Sequence, residues 1–102
     1  MPKNDNKFLL TLNEQFRPMV TDGAMGTLLH ERGVAIDACF DELNLNQPAI
    51  VANIHRDYIE SGAQLIKTNT FGANRTKLER HGLEEHVEEI NASAVTLARK
   101  VV

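Results

Sequence analysis

The chain has 102 residues, of which 42% are hydrophobic and 25% charged, and a formal net charge of −3. That length suits one small domain, and the composition is that of an ordinary globular protein. Acids and bases are interspersed, and no apolar run approaches the roughly 20 residues of a membrane span, which argues against a nucleic-acid footprint and a membrane anchor.

Residues 1–7 are polar and have no apolar core of the kind a signal peptide carries. Phe8, Leu9, Leu12 and Phe16 recur at helical spacing and predict a short amphipathic helix over residues 8–16. Arg17-Pro18 ends it, because the residue before a proline is pushed out of the helical region. Residues 19–21 read as a short buried strand. Residues 25–32 read as a helix with Met25, Leu28 and Leu29 on one face and Gly33 as its left-handed stop. The mixed pattern of residues 34–47, which includes Cys39, Phe40, Leu43 and Leu45, reads as a loop or short turns.

Pro48 suits the first turn of the next helix, where its missing N–H costs nothing. Val51, Ile54 and Tyr58 form that helix's apolar stripe, and Gly62 ends it. Residues 64–68 read as a second strand, and Asn74 and Gly82 bracket a short helix over residues 75–81. The clearest helix runs over residues 84–102, with Val87, Ile90, Ala94, Leu97, Ala98 and Val101 on one face. Its glutamates crowd the first turns, and Arg99 and Lys100 the last, matching the helix dipole.

Alternating strand and helix predicts an α/β fold with a parallel sheet covered by helices. Two parallel strands cannot make a covered sheet, and the helical pattern reaches Val102 without a stop signal. The expectation is therefore the N-terminal piece of a longer protein. Residues 1–17 would be a tail and short helix, and residues 18–102 an incomplete domain. The polar start and the single cysteine, Cys39, place it in the reducing cytoplasm.

Two stretches share one grammar: Val20-Thr21-Asp22-Gly23-Ala24-Met25-Gly26-Thr27, and Leu65-Ile66-Lys67-Thr68-Asn69-Thr70-Phe71-Gly72-Ala73-Asn74. Each ends an apolar strand in polar residues, where ligands meet parallel sheets. A partly shielded Asp22 wants a cation, and the free N–H groups of the following helix start favour an anion. Together they suit a zwitterion. An amino acid's ammonium would go to Asp22 and its carboxylate to the N–H groups near Met25 and Gly26. The competing reading is that Asp22 only caps the helix, and on the residues alone capping leads. Thr68, Asn69 and Thr70 either reach a ligand or satisfy the following turn. His30, His55, His81, His86 and Cys39 lack metal-ligand spacing and read as solvated histidines and a buried or loop cysteine.

Asp22 to Thr27, Phe40-Asp41-Glu42-Leu43-Asn44-Leu45, Pro48, Asn53-Ile54-His55, Tyr58, Gly62-Ala63 and Thr68 to Asn74 together resemble the homocysteine S-methyltransferase family. The resemblance runs from about Pro18 to the end. It implies the N-terminal part of an eight-stranded (β/α) barrel, namely its first two βα units, preceded here by the N-terminal helix. It also implies methyl transfer to the thiol of homocysteine, giving methionine. Asp22 would take the amino group, the backbone around Met25 and Gly26 the carboxylate, and Thr68 and Asn69 would line the mouth. A zinc ion held by three cysteines would bind the thiolate. Those cysteines are not in this chain, and Cys39 matches none of them, so the isolated piece is expected to be inactive. The small Gly72 and the Thr-Asn-Thr-Phe-Gly-Ala-Asn form resemble the branch related to cobalamin-dependent enzymes and reductase fusions. The donor stays open between a methyl-folate and methylcobalamin. A second reading is a small non-catalytic α/β module that binds an amino acid or carboxylate, in part through self-association.

Overall fold

A computed structural model describes residues 19–102. The helix expected over residues 8–16, and the tail that precedes it, lie outside the described residues. Among the described residues there are five α-helices, in chain order α1 Gly26–Glu31, α2 Leu43–Asn46, α3 Pro48–Glu60, α4 Arg75–Glu79 and α5 Val87–Val101. Short 3-10 turns at Phe40–Glu42 and Glu84–His86 lead into α2 and α5. The first three residues of the long helix expected over residues 84–102 are therefore 3-10, and the stretch read as a loop holds α2.

Local chemistry sets several boundaries as expected. Pro48 occupies the first turn of α3. Asn74 caps α4 by accepting the Lys77 N–H on its side chain at 2.9 Å. Gly33 and Gly62 take φ of +101° and +109°, which lets the chain leave α1 and α3 without a Cβ clash.

The core sits between α3, α5 and α2, with α1 laid against α3. Leu29, Leu43, Val51, Ala52, Ile54 and Leu97 form it, and Met25, Phe40, Tyr58 and Val101 pack around its edge. A smaller cluster of Ala73, Leu78 and Ile90 joins α4 to α5. The stripe expected on the last helix is the one that buries: Ile90, Ala94, Leu97 and Ala98 all face inward.

The expected α/β barrel fragment is overturned. Among the described residues there is no strand, only one isolated parallel bridge between Thr21 and Leu65. The Asp22 N–H donates to Leu65 O at 2.9 Å, and the Gln64 and Leu65 N–H groups both go to Val20 O. The Val20 N–H is taken by the Gln64 side chain at 2.9 Å rather than by a backbone carbonyl. The two segments then diverge: the first enters α1 and the second tightens into a turn in which Thr70 N–H meets Thr68 O. One bridge is all that survives where each apolar run is only a few residues long and a side chain replaces a ladder partner.

Ile54 is fully buried at the centre of the larger cluster, whereas Val95 lies on the outer face of α5. In urea unfolding, Ile54→Ala is expected to cost about 2–5 kcal/mol. Val95→Ala should stay within about 0.5 kcal/mol of the parent. Equal effects would contradict this placement of the core.

Candidate functional site

The ends of the two bridged segments open onto one cleft of about 870 Å³. Asp22, Met25, Gly26, Thr68 and Asn69, the five residues singled out from the sequence, all line it. Cys39, Phe40, Asp41, Lys77 and His81 line it as well. Phe71 stands at the mouth with its side chain outward, 90% exposed. The Lys77 ammonium sits 4.0 Å from the centre of its ring, a cation–π contact.

Asp22 does not cap α1, whose N-cap residue is Met25 and has no side-chain cap. The capping alternative is therefore overturned. Among the described residues the Asp22 carboxylate takes both its partners from Lys67. The Lys67 backbone N–H donates to Oδ2 at 3.0 Å and the Lys67 ammonium to Oδ1 at 2.5 Å. The ammonium also reaches the Asp22 main-chain oxygen at 3.1 Å. The burial of the two side chains is unequal, at 3% exposed for Asp22 and 68% for Lys67. A buried carboxylate thus faces the cleft with a solvent-exposed cation on it.

Asn69 is held in place through its amide nitrogen. Its amide N–H groups go to Phe40 O at 2.9 Å and Asn44 Oδ1 at 3.0 Å. In return Asn44 donates to the Asn69 carbonyl at 2.8 Å and reaches Ile90 O at 3.3 Å. This buried amide pair pins the second segment to α2 and α5. Thr68 and Thr70 share a hydroxyl hydrogen bond at 2.8 Å. Tyr58 of α3 donates to Ala24 O at 2.7 Å and steadies the turn after Asp22.

Two glycines are present because backbone and side chains meet there. A Cβ on Gly26 would lie 3.0 Å from the Phe40 ring, and one on Gly72 would lie 2.7 Å from Asp41 Oδ1. Asp41 accepts the Gly72 N–H at 3.0 Å. Its burial pushes its carboxyl above the usual range, against the pull of that hydrogen bond and of Lys77 and His81.

Sequence reading missed Asp41, Asn44 and Lys67 as parts of the site, and misplaced His55. Expected to be solvated, His55 is fully buried on α3, and among the described residues neither ring nitrogen has a hydrogen-bond partner. Burial holds its imidazole below its ordinary pKa, while the nearby Asp22 charge acts in the opposite sense. The stripe of α3 gave a signal for this: His55 adjoins Ile54 and lies four residues after Val51.

The zinc site implied by the resemblance does not fit the residues present. The chain has one cysteine. Among the described residues no three His, Cys, Asp or Glu side chains are grouped as metal ligands. Burial pushes the Cys39 thiol up, away from the thiolate a ligand must be.

The cleft thus holds a buried carboxylate beside a helix start. Comparison with known proteins gives the family. The model of the homocysteine S-methyltransferase family matches residues 19–102, and the chain belongs to that family. It is similar to the methionine synthase of Mycobacterium leprae, 36% identical over 103 aligned positions that cover 95% of this chain and 8% of that protein. The methionine synthase of Mycobacterium tuberculosis is 35% identical over 91 positions, 83% of this chain and 8% of that protein. The chain therefore spans about a twelfth of the length of these relatives.

The raised Asp41 carboxyl has a consequence for stability. A folded pKa above the unfolded one means the folded state binds the proton more tightly, so Asp41's contribution is fully present below the unfolded pKa, near 3.8. It is lost as pH rises through the higher folded value. Asp41→Asn keeps an acceptor for Gly72 but does not titrate. The stability of the variant minus that of the parent should rise with pH across that window and level off above it, read from urea midpoints at successive pH. A difference that falls with pH would show that Asp41 is stabilised as the anion.

Proposed function

We propose that the cleft seats the amino-acid head of homocysteine in a methyl transfer to its thiol that yields methionine. The observation that carries this reading is the buried Asp22 carboxylate, which opens on a cleft where, among the described residues, its side-chain counter-ion is the exposed Lys67. A carboxylate held in low dielectric binds an ammonium far better than an exposed one does. The ligand ammonium would lie on Asp22 Oδ1. Its carboxylate would face the first-turn N–H groups at Met25 and Gly26, which have no intrahelical acceptor. Thr68 would line the mouth. Asn69, whose amide nitrogen is already engaged, acts as a positioning residue that holds the Thr68–Thr70 turn against α2.

The matched family and the similarity to two methionine synthases support methyl transfer to homocysteine as the reaction class. The donor we propose is a methyl-folate or methylcobalamin. The unit that serves this role is proposed as residues 18–102, in the cytoplasm. Self-association of the chain is proposed alongside, with Val20 and Ile36 among the exposed apolar side chains. Among the described residues no helix is long and apolar enough to cross a membrane.

Asp22→Asn tests the reading. It keeps an acceptor for the Lys67 N–H and removes the charge. Calorimetric titration with homocysteine should show affinity reduced by about 10- to 100-fold, the worth of a charge-assisted hydrogen bond. A variant that still melts cooperatively and binds homocysteine like the parent would contradict the assignment.

A further inference from the structure

The Asp22–Lys67 pair holds more information than a surface ion pair. One partner is immobile. The Asp22 carboxylate is buried, and the Lys67 backbone N–H on Oδ2 at 3.0 Å orients it whether or not the lysine side chain is present. The other partner is exposed: the Lys67 side chain is 68% exposed and reaches in from solvent. Both residues line the same cleft, and the lysine ammonium sits on Oδ1, the one carboxylate oxygen not held by the backbone. Oδ1 is also the atom a ligand's amino group needs.

We infer that Lys67 is an internal placeholder for the substrate's ammonium. In the empty cleft it neutralises a carboxylate that burial would otherwise leave unpaired, which is costly. On binding, the ligand ammonium replaces the Lys67 ammonium on Oδ1, and Lys67 swings to solvent while its backbone N–H stays on Oδ2. The exchange swaps one ammonium for another, so the site never carries a bare buried anion. The consequence is selectivity. A ligand must bring its own cation to displace Lys67, and a ligand without one leaves the pair closed. Lys67 thereby sets affinity for amino acids by competition, without touching the bound ligand. This inference rests on Asp22 being the amino-group seat.

The test uses the full chain and two probes: homocysteine, and 4-sulfanylbutanoate, which is homocysteine without its amino group. Lys67→Met removes the competitor and keeps the backbone N–H, and Lys67→Gln serves as a second variant should Met disturb folding. Homocysteine should bind either variant about two- to fivefold more tightly, the range that an ammonium with a solvent-exposed side chain sustains on a carboxylate. Affinity for 4-sulfanylbutanoate should not change. Weaker binding of both probes would show that Lys67 instead holds the ligand carboxylate, and unchanged homocysteine affinity would show that it does not compete; either result overturns the inference. Asp22→Asn separates the two levels. If it abolishes homocysteine binding while the Lys67 variants do nothing, only the placeholder role fails. If it changes nothing, the seat itself is wrong.

Discussion

A carboxylate taken out of water has to find partners, and Asp22 finds both of its own on a residue 45 positions away. That constraint organises this part of the chain. It fixes where the first apolar run stops and how the second approaches it. It also brings the turn before α1 and the turn after Lys67 to the same rim. The parallel bridge at Thr21 and Leu65 sets the spacing, but one bridge is a weak clamp. The charge pair and the backbone N–H beside it turn a brief contact between two extended segments into a defined corner.

A second buried polar pair holds the other end of the same segment. Asn44 and Asn69 exchange amide hydrogen bonds and draw in the carbonyls of Phe40 and Ile90. A network satisfied in this way is rigid, because breaking any member strands the rest in low dielectric. The helices α2, α3 and α5 supply the apolar platform beneath it, and Tyr58 extends a hydroxyl from α3 to the turn after Asp22. The cleft is what these ties leave between them. Its walls are backbone turns and pinned side chains, and two lysines line it as well: Lys67 on the Asp22 carboxylate and Lys77 on the Phe71 ring.

Much of the helical frame was legible in the sequence because its signals are local. Pro48, Asn74, Gly33 and Gly62 act within a turn of where they stand, and the last helix announces its buried face by its period. The sheet was misread for the opposite reason. Short apolar runs look like strands, yet pairing is decided by partners elsewhere, and here a Gln64 side chain and two diverging turns leave a single bridge. Asp22, Met25, Gly26, Thr68 and Asn69 were picked out, and they do share one cleft. Their partners were not picked out. Lys67, Asn44 and Asp41 look like ordinary polar residues until residues far apart in the chain meet. His55 was hidden by its own type, since a histidine on a helix is more often wet than buried. The family resemblance reached the same stretch by another route, through the order of several short motifs that no single physical argument would have combined, and the family model matches residues 19–102.

The central claim is that the amino-acid head is read by Asp22 Oδ1 in place of Lys67. A crystal structure with homocysteine bound tests it most directly. The account expects the ligand nitrogen at hydrogen-bond distance from Asp22 Oδ1, with the Lys67 backbone N–H still on Oδ2 and its ammonium withdrawn. A ligand bound elsewhere in the cleft, with the Lys67 ammonium still on Asp22, would contradict it.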